Sequence, residues 1–375
     1  MRIPGYHNPV HIHMGAGALA SLGALVQHRT AMLVTFPEAR GLGLISRVEA
    51  ALGKPLAGVI DQVQPNPDVM ELAPMYDAFW RDHGDTEVLL AVGGGSAIDT
   101  AKALMTSTAE GGFDALLAGL RGQQPLRAAR AKTLIAIPTT AGTGSEVTPW
   151  ATVWDRAERL KYSLHLPETW PAHAVIDAEL MLSLPASVTL SSALDALSHA
   201  LEAIWNVNAN PLSDTFAVAA VHDVLDVLPL LMEQPQRLEL RERMALAALR
   251  AGMAFSNTRT ALAHSISYEM TLHHGLPHGI ACSFTLPMVL SRALGHDVGR
   301  DSVLTQALAP LIEANATGSS RDLPAALATF MESLGVKTRF ADYGVSDDDA
   351  ERMVAHAMQG ARGRNFIAAG PVAAN

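Results

Sequence analysis

The sequence predicts two domains of different class: an N-terminal α/β domain built on a parallel sheet, residues 1–185, followed by an all-helical domain, residues 186–375. Three observations predict this. Short apolar runs ending in Gly, Pro or hydroxyl residues alternate with helical stretches through the first half. Beyond Leu184-Pro185-Ala186-Ser187 the apolar residues recur every three or four positions. The length, 375 residues, suits two domains of about 100 to 200 residues each.

Taken in order, Ala31–Thr35 is a strand leading into Phe36-Pro37-Glu38-Ala39-Arg40-Gly41. Gly58–Asp61 is a second, leading into Val63-Gln64-Pro65-Asn66-Pro67-Asp68. Glu87–Val92 is a third and runs directly into Gly93-Gly94-Gly95-Ser96, the start of a helix through Lys102. Glycines let backbone N–H groups approach an anion, and a helix N-terminus adds partial positive charge, so this junction suits a pyrophosphate. The spacing is neither Gly-x-Gly-x-x-Gly nor the Walker pattern, and a triglycine by itself equally marks a tight turn. A fourth strand, Thr133–Ile137, ends in Pro138-Thr139-Thr140-Ala141-Gly142-Thr143-Gly144-Ser145-Glu146, whose hydroxyls suit ribose and phosphate oxygens. Two such loops after apolar strands of the same half favour a nucleotide over a plain polar surface.

Pro185 closes the strand-rich half and Ser187 is placed to cap the first helix beyond it. Residues 217–228 and 242–253 carry helical apolar periodicity. In the apolar run 194–201, Asp195 and His199 lie four apart, so on a helix they share a face. His264 and His278 follow downstream and complete a candidate set of one carboxylate and three imidazoles, which suits Fe(II) or Zn(II). An i, i+4 Asp/His pair alone is common by chance, and it is the nucleotide loops upstream that favour the metal reading. With ligands after the boundary and phosphate loops before it, the reaction is expected in the cleft between the domains.

Composition bounds the partners. Apolar residues make up 49% and charged residues 17%, a balance that provides a large core and suggests surface buried against a second subunit. The net charge of −10, with no dense Lys/Arg run, argues against nucleic acid or an anionic membrane. Cys282 is the one cysteine, so no intrachain disulfide forms, and in its apolar stretch it reads as a small core residue. No signal peptide is visible at Met1–Tyr6, and no apolar run is expected to reach a membrane span. Cytoplasm is the expected location. The tail 368–375 is expected to be loosely ordered, and no internal repeat is present.

Laid in order, residues 93–102, 138–146, Asp195-Ala-Leu-Ser-His199, His264 and Pro277-His278-Gly279 make the chain resemble the iron-containing (group III) alcohol dehydrogenases, nearly end to end. The resemblance implies a Rossmann-like N-terminal domain, a helical metal-binding domain (the dehydroquinate synthase-like plan), a nicotinamide cofactor and a homodimer. Its metal positions are Asp195, His199, His264 and His278. Its cofactor contacts fall on Asn66, Gly94, Gly95, Ser96, Asp99, Thr139, Thr140, Ser145 and Lys161.

Two departures from the family pattern matter. Phe36 stands where many members carry an Asp that repels the 2'-phosphate, and Arg40 is close by, so NADP(H) is admitted alongside NAD(H). Tyr268 stands where relatives place a relay histidine; with an ordinary pKa of about 10 it serves as a relay only where a metal or cation lowers it, and the other routes are His273 or His274, or ordered water and the ribose hydroxyls. A packing role for Tyr268 is equally open.

The stretches 161–163, 201–211 and 263–268 further resemble the phosphonoacetaldehyde reductase branch, which forms 2-hydroxyethylphosphonate. A dianionic substrate needs cations, and Arg259, Arg362 and Arg364 are candidates beside the ordinary solvated role. The expected activity is NAD(P)-linked aldehyde reduction with hydride transfer to a metal-polarised carbonyl. Alternatives are a broad aliphatic alcohol dehydrogenase, a maleylacetate reductase-like enzyme, or a dehydroquinate synthase-type lyase. The last commonly uses a glutamate ligand and richer basic residues. A metallohydrolase has no use for the phosphate loops.

Overall fold

The computed structural model describes residues 5–314 and 322–369; residues 370–375 of the tail and Met1–Pro4 lie outside them. The chain divides into two compact units. One comprises Asn8–Thr140 and Ser145–Ser183; the other comprises Met1–His7, Ala141–Gly144 and Leu184–Asn375.

The first unit is α/β. Its strands in chain order are β1 (His11–Met14), β2 (Ala31–Val34), β3 (Gly58–Ile60), β4 (Val88–Gly93), β5 (Thr106–Ser107), β6 (Arg130–Ala131), β7 (Thr133–Pro138), β8 (Trp150–Asp155), β9 (Leu160–His165) and β10 (His173–Ile176). Six of them form one sheet in the order β1-β10-β7-β4-β2-β3, parallel throughout. Helices α1 (Leu22–Val26), α2 (Leu44–Leu52), α3 (Val69–Asp82), α4 (Gly95–Leu104) and α5 (Gly112–Leu120) complete it.

Alternation along each strand fills two cores. Leu33, Leu90, Val92, Ile135 and Ile137 pack with Leu22 and Val48 of α1 and α2, while Val34, Leu89, Ala91, Leu134 and Ala136 pack with Leu72, Tyr76 and Ile98 of α3 and α4. Because both faces are covered, β2, β4 and β7 are continuous apolar runs, which is why the sequence announced them. It did not announce edge strand β1, which is largely exposed, or β10. It also missed the antiparallel β8–β9 hairpin, turned at Arg159 with φ 55°.

β2, β4 and β7 are neighbours, with Val34 opposite Ala91 and Gly93 opposite Pro138. Their carboxyl ends therefore deliver the loops beginning at Thr35, Gly93 and Pro138 side by side, the place where open parallel sheets bind ligands.

The second unit is helical: α6 (Ala186–Ile204), α7 (Pro211–Glu233), α8 (Leu238–Thr258), α9 (Leu262–His274), α10 (His278–Ser283), α11 (Leu286–Ala293), α12 (Val298–Ala307), α13 (Ala309–Ala314), α14 (Leu323–Ser333) and α15 (Asp347–Gln359). Ser187 is not the cap of α6. The helix starts directly after Pro185 without a side-chain cap, Pro185 being compatible with the orphan N–H groups of a first turn. Contrary to the expectation that no segment reaches a membrane span, α7 is long and apolar enough by length and composition. It starts from an Asn210/Ser213 capping box and buries Ala217, Ala220, Val221, Val224 and Leu228, as a core helix does.

Candidate metal centre and nucleotide loops

The helical unit brings Asp195, His199, His264 and His278 together. Asp195, His199 and Glu202 follow one another at i, i+4 and i+7 on α6, hence on one face, and from Ala193 to Ile204 the helix is buried all round. His264 sits in the first turn of α9, and His278 opens α10. Gly279 makes that approach possible: a Cβ there would lie 1.8 Å from the Ser191 carbonyl oxygen of α6. Any side chain would push α10, and His278 with it, away from Asp195.

Asp195 Oδ1 is the common neighbour. His264 Nε2 is 3.3 Å from it, and His199 Nε2 and His278 Nε2 are each 4.0 Å away. Two donors each about 2.0–2.2 Å from a shared ion are separated by roughly these distances. Asp195 Oδ1 and His264 Nε2 are buried and, beyond facing each other at 3.3 Å, have no hydrogen-bond partner of good geometry among the described residues, a costly arrangement unless a cation satisfies both. These residues fit the expected metal.

His199 is clamped between the Phe255 ring, centroids 4.1 Å apart and 12° from parallel, and the His264 ring, 4.4 Å apart at 21°. Burial lowers the His199 imidazole to about 4 despite the nearby Asp195 charge, so the ring is neutral at ordinary pH, the form a metal would require. Burial alone would raise the Asp195 carboxyl, but His199, His264 and His278 outweigh it and hold the carboxylate ionised.

Glu202, which the sequence reading missed, completes the arrangement from behind. It is wholly buried, and its Oε2 lies 2.8 Å from His264 Nδ1. It also accepts the backbone N–H of Ala261 at 2.7 Å and of His264 at 3.1 Å. The carboxylate thus caps α9 and fixes the His264 tautomer with Nε2 turned toward Asp195. The available signal was an acidic residue three positions after His199 inside an unbroken apolar helix. Cys282, read as a plain core residue, is buried one turn after His278, and its Sγ lies 3.6 Å from His278 Nε2.

The other predicted residues of this unit divide. Tyr268 is one turn beyond His264 on α9, and the Arg362 guanidinium lies 4.8 Å over its ring. Gly363 fixes that placement, since a Cβ would fall 2.0 Å from the Ala357 carbonyl oxygen. Burial draws Arg362 down to about 10, with Glu202 opposing, so it stays cationic near neutrality. No carboxylate lies within ion-pair distance of it among the described residues. Arg259 and Arg364 are exposed, Arg364 bonding the Gln359 carbonyl oxygen at 3.1 Å. His274 is exposed in the last turn of α9. Ten residues along one helix put its backbone about 15 Å from that of His264, and the structure does not bring it to the cluster.

In the α/β unit the predicted nucleotide residues converge. Gly93 has φ 155°, and a Cβ there would meet Ala97 Cβ at 2.6 Å and Phe36 Cδ1 at 3.3 Å. A Cβ on Gly94 would lie 3.3 Å from Thr140 Oγ1, so the second loop lies directly against the first. Ser96 Oγ accepts the Asn66 N–H at 3.1 Å, Asn66 itself being held at φ 59°. The first turn of α4 contains no acidic residue to compete with a phosphate.

Asp99 and Ser145 are engaged inward. Ser145 Oγ donates to Asp99 at 2.6 Å and the Thr152 N–H donates to it at 2.8 Å. The fully buried Lys102 Nζ donates to Ser145 O, Ser145 Oγ and Trp150 O at 2.7–2.8 Å. These residues shape the loop, while Lys161 lies with its Nζ 4.8 Å over the Trp154 ring. Arg40 pairs with Asp61 at 3.3 Å in an exposed contact, which competes only weakly with a phosphate.

Glu146 is buried beside this network, and burial pushes its carboxyl from 4.5 up to about 7, with its own backbone and Lys102 opposing. The folded state therefore keeps a proton that the unfolded chain has lost, and this group's contribution to stability declines as pH rises from about 4.5 to about 7. Glu146→Gln removes that decline. The melting temperature of the variant relative to the parent is expected to rise between about pH 5 and pH 8, by roughly 2–4 °C for each kcal/mol relieved. A pH-independent difference contradicts the assignment.

Known proteins resemble the chain along nearly its whole length. The sequence profile described as "Iron-containing alcohol dehydrogenase" matches residues 9–178. The profile described as "Fe-containing alcohol dehydrogenase family, C-terminal" matches residues 189–369. The chain is 31% identical over 356 residues to the NAD-dependent methanol dehydrogenase of Bacillus methanolicus, covering 92% of this chain and 91% of that one. It is 29% identical over 303 residues to the 1,3-propanediol dehydrogenase of Citrobacter freundii, covering 80% and 76%. The crystal structure of sulfoacetaldehyde reductase from Bifidobacterium kashiwanohense in complex with NAD+ superposes with a TM-score of 0.86 at 26% identity, covering 98% of this chain and 95% of that one.

Proposed function

Because the chain belongs to the iron-containing alcohol dehydrogenases, oxidoreductases of CH–OH groups that use iron and NAD(H), we propose that it reduces a small aldehyde bearing an anionic group, such as phosphonoacetaldehyde. The observation that carries the substrate class is Arg362: a half-buried guanidinium with no carboxylate within ion-pair distance among the described residues, the Glu202 charge acting on it from farther off, over Tyr268, one helical turn from ligand His264. The likeness to sulfoacetaldehyde reductase supports the same chemistry, since a sulfonate and a phosphonate both ask for such a cation.

Asp195, His199, His264 and His278 would hold the metal, which supplies Lewis-acid polarisation of the carbonyl oxygen. Gly94, Gly95, Ser96 and Thr140 would receive the dinucleotide phosphates, with Asn66 held at their edge. Phe36 leaves a 2'-phosphate unopposed, so NADPH is accepted beside NADH. The proton that completes the alcohol comes from Tyr268 or water, His274 being remote from the ligand cluster. The enzyme acts in the cytoplasm as a homodimer, a state supported by the partly exposed Ile12 and Met14 of edge strand β1.

The test is kcat/KM for phosphonoacetaldehyde against acetaldehyde and propionaldehyde, with NADH and NADPH, on protein of known metal content. A charge-assisted contact worth about 1.5–3 kcal/mol corresponds to roughly 10–150-fold, so Arg362→Met is expected to lose that factor on phosphonoacetaldehyde and little on the uncharged aldehydes. Equal rates on all three aldehydes in the parent enzyme favour the second reading, a broad aliphatic alcohol dehydrogenase. The likenesses to the methanol and propanediol dehydrogenases support that second reading.

A further inference from the structure

We propose that Cys282 is an additional metal ligand: its thiolate joins Asp195, His264 and His278, giving the centre a softer donor set beside the Asp195–His199–His264–His278 set. The inference rests on the reading that this cluster holds a metal, and it concerns which metal and in what state. One donor atom from each of Asp195, His264, His278 and Cys282 lies within 4.8 Å of every other. His278 and Cys282 are one turn apart on α10, so the helix that delivers the imidazole delivers the sulfur as well.

A cysteine that merely fills core volume faces carbon. This one lies within 4.8 Å of donor atoms of Asp195 and His264, two buried side chains whose Oδ1 and Nε2 have no well-aligned hydrogen-bond partner among the described residues. Its separation of 3.6 Å from His278 Nε2 matches that of two ligands sharing one ion.

The chemical consequence is selectivity. Thiolate favours Zn(II) over Fe(II), whereas carboxylate and imidazole accept either. On binding, the thiol releases its proton to water and no electron changes hands. A centre closed by sulfur has one position fewer for a substrate oxygen, so the zinc-loaded protein is the less active form and the ferrous protein, held by the four nitrogen and oxygen donors, the more active.

The experiment is the absorption spectrum of cobalt-substituted full-length protein. As the chain contains a single cysteine, any thiolate-to-cobalt charge-transfer band in the near ultraviolet reports Cys282. The parent is expected to show that band together with visible d–d bands. Cys282→Ala and Cys282→Ser are expected to keep the d–d bands and lose the charge-transfer band, and the preference for Zn(II) over Fe(II) should drop roughly tenfold or more, the floor set by losing even an outer partner. Parent d–d bands without charge transfer overturn the proposal while leaving the metal centre standing. Absence of any bound cobalt in the parent overturns both.

Discussion

Asp195→Ala is expected to lose its metal and nearly all aldehyde reduction while still binding NADH. Asp195 supplies the only negative charge in the set of four, and its Oδ1 is the atom within 3.3–4.0 Å of all three imidazole nitrogens. Without it the imidazoles converge on a position that has lost its carboxylate, in a buried environment where a divalent cation needs anionic charge. A metal acting as Lewis acid contributes several kcal/mol of transition-state charge stabilisation, which at 1.36 kcal/mol per decade is about a thousandfold or more in kcat. NADH binding, followed by its fluorescence, is retained because Gly94, Ser96 and Thr140 belong to the other compact unit. A metal-free Asp195→Ala protein with the parent's turnover contradicts the assignment.

Glu202→Gln is expected to weaken metal binding about 10–100-fold, the usual effect of losing a partner behind a ligand histidine. The glutamate accepts the His264 Nδ1 proton at 2.8 Å. An amide nitrogen in the same place donates instead, which drives the ring proton to Nε2, the atom that must face the metal. Glu202→Ala does further damage. It strips the Ala261 and His264 N–H groups of their acceptor, and each buried unsatisfied group costs about 1–3 kcal/mol. The two variants separate positioning from structure by degree: Glu202→Gln loses metal affinity while leaving one backbone N–H without its acceptor, whereas Glu202→Ala leaves both without one and lowers the metal-free melting temperature further. Parent-like metal affinity in Glu202→Gln refutes the positioning role.

The clustering of the candidate ligands was legible because coordination asks for a few residue types at helical spacing, and Asp195 and His199 satisfy it within one turn. β2, β4 and β7 were legible because strands covered on both faces become apolar throughout. β1 was not, since an edge strand with exposed His11 and Ile12 carries no apolar run. Glu202 and Cys282 escaped for another reason. Their roles depend on which side of α6 and α10 meets α9, a tertiary fact that Gly279 permits but does not announce. The choice of Arg362 over Arg259 and Arg364 likewise needed the turn at Gly363. Asp99 and Ser145 were found from a motif, but their inward bonding to Lys102 and Thr152 became visible only in three dimensions.

The most direct test of the account is anomalous diffraction at the iron edge from crystals of the protein loaded anaerobically with ferrous ion. One peak per chain is expected within bonding distance of Asp195, His199, His264 and His278. A chain that takes up iron elsewhere, or whose four side chains stay apart around an empty space, contradicts it.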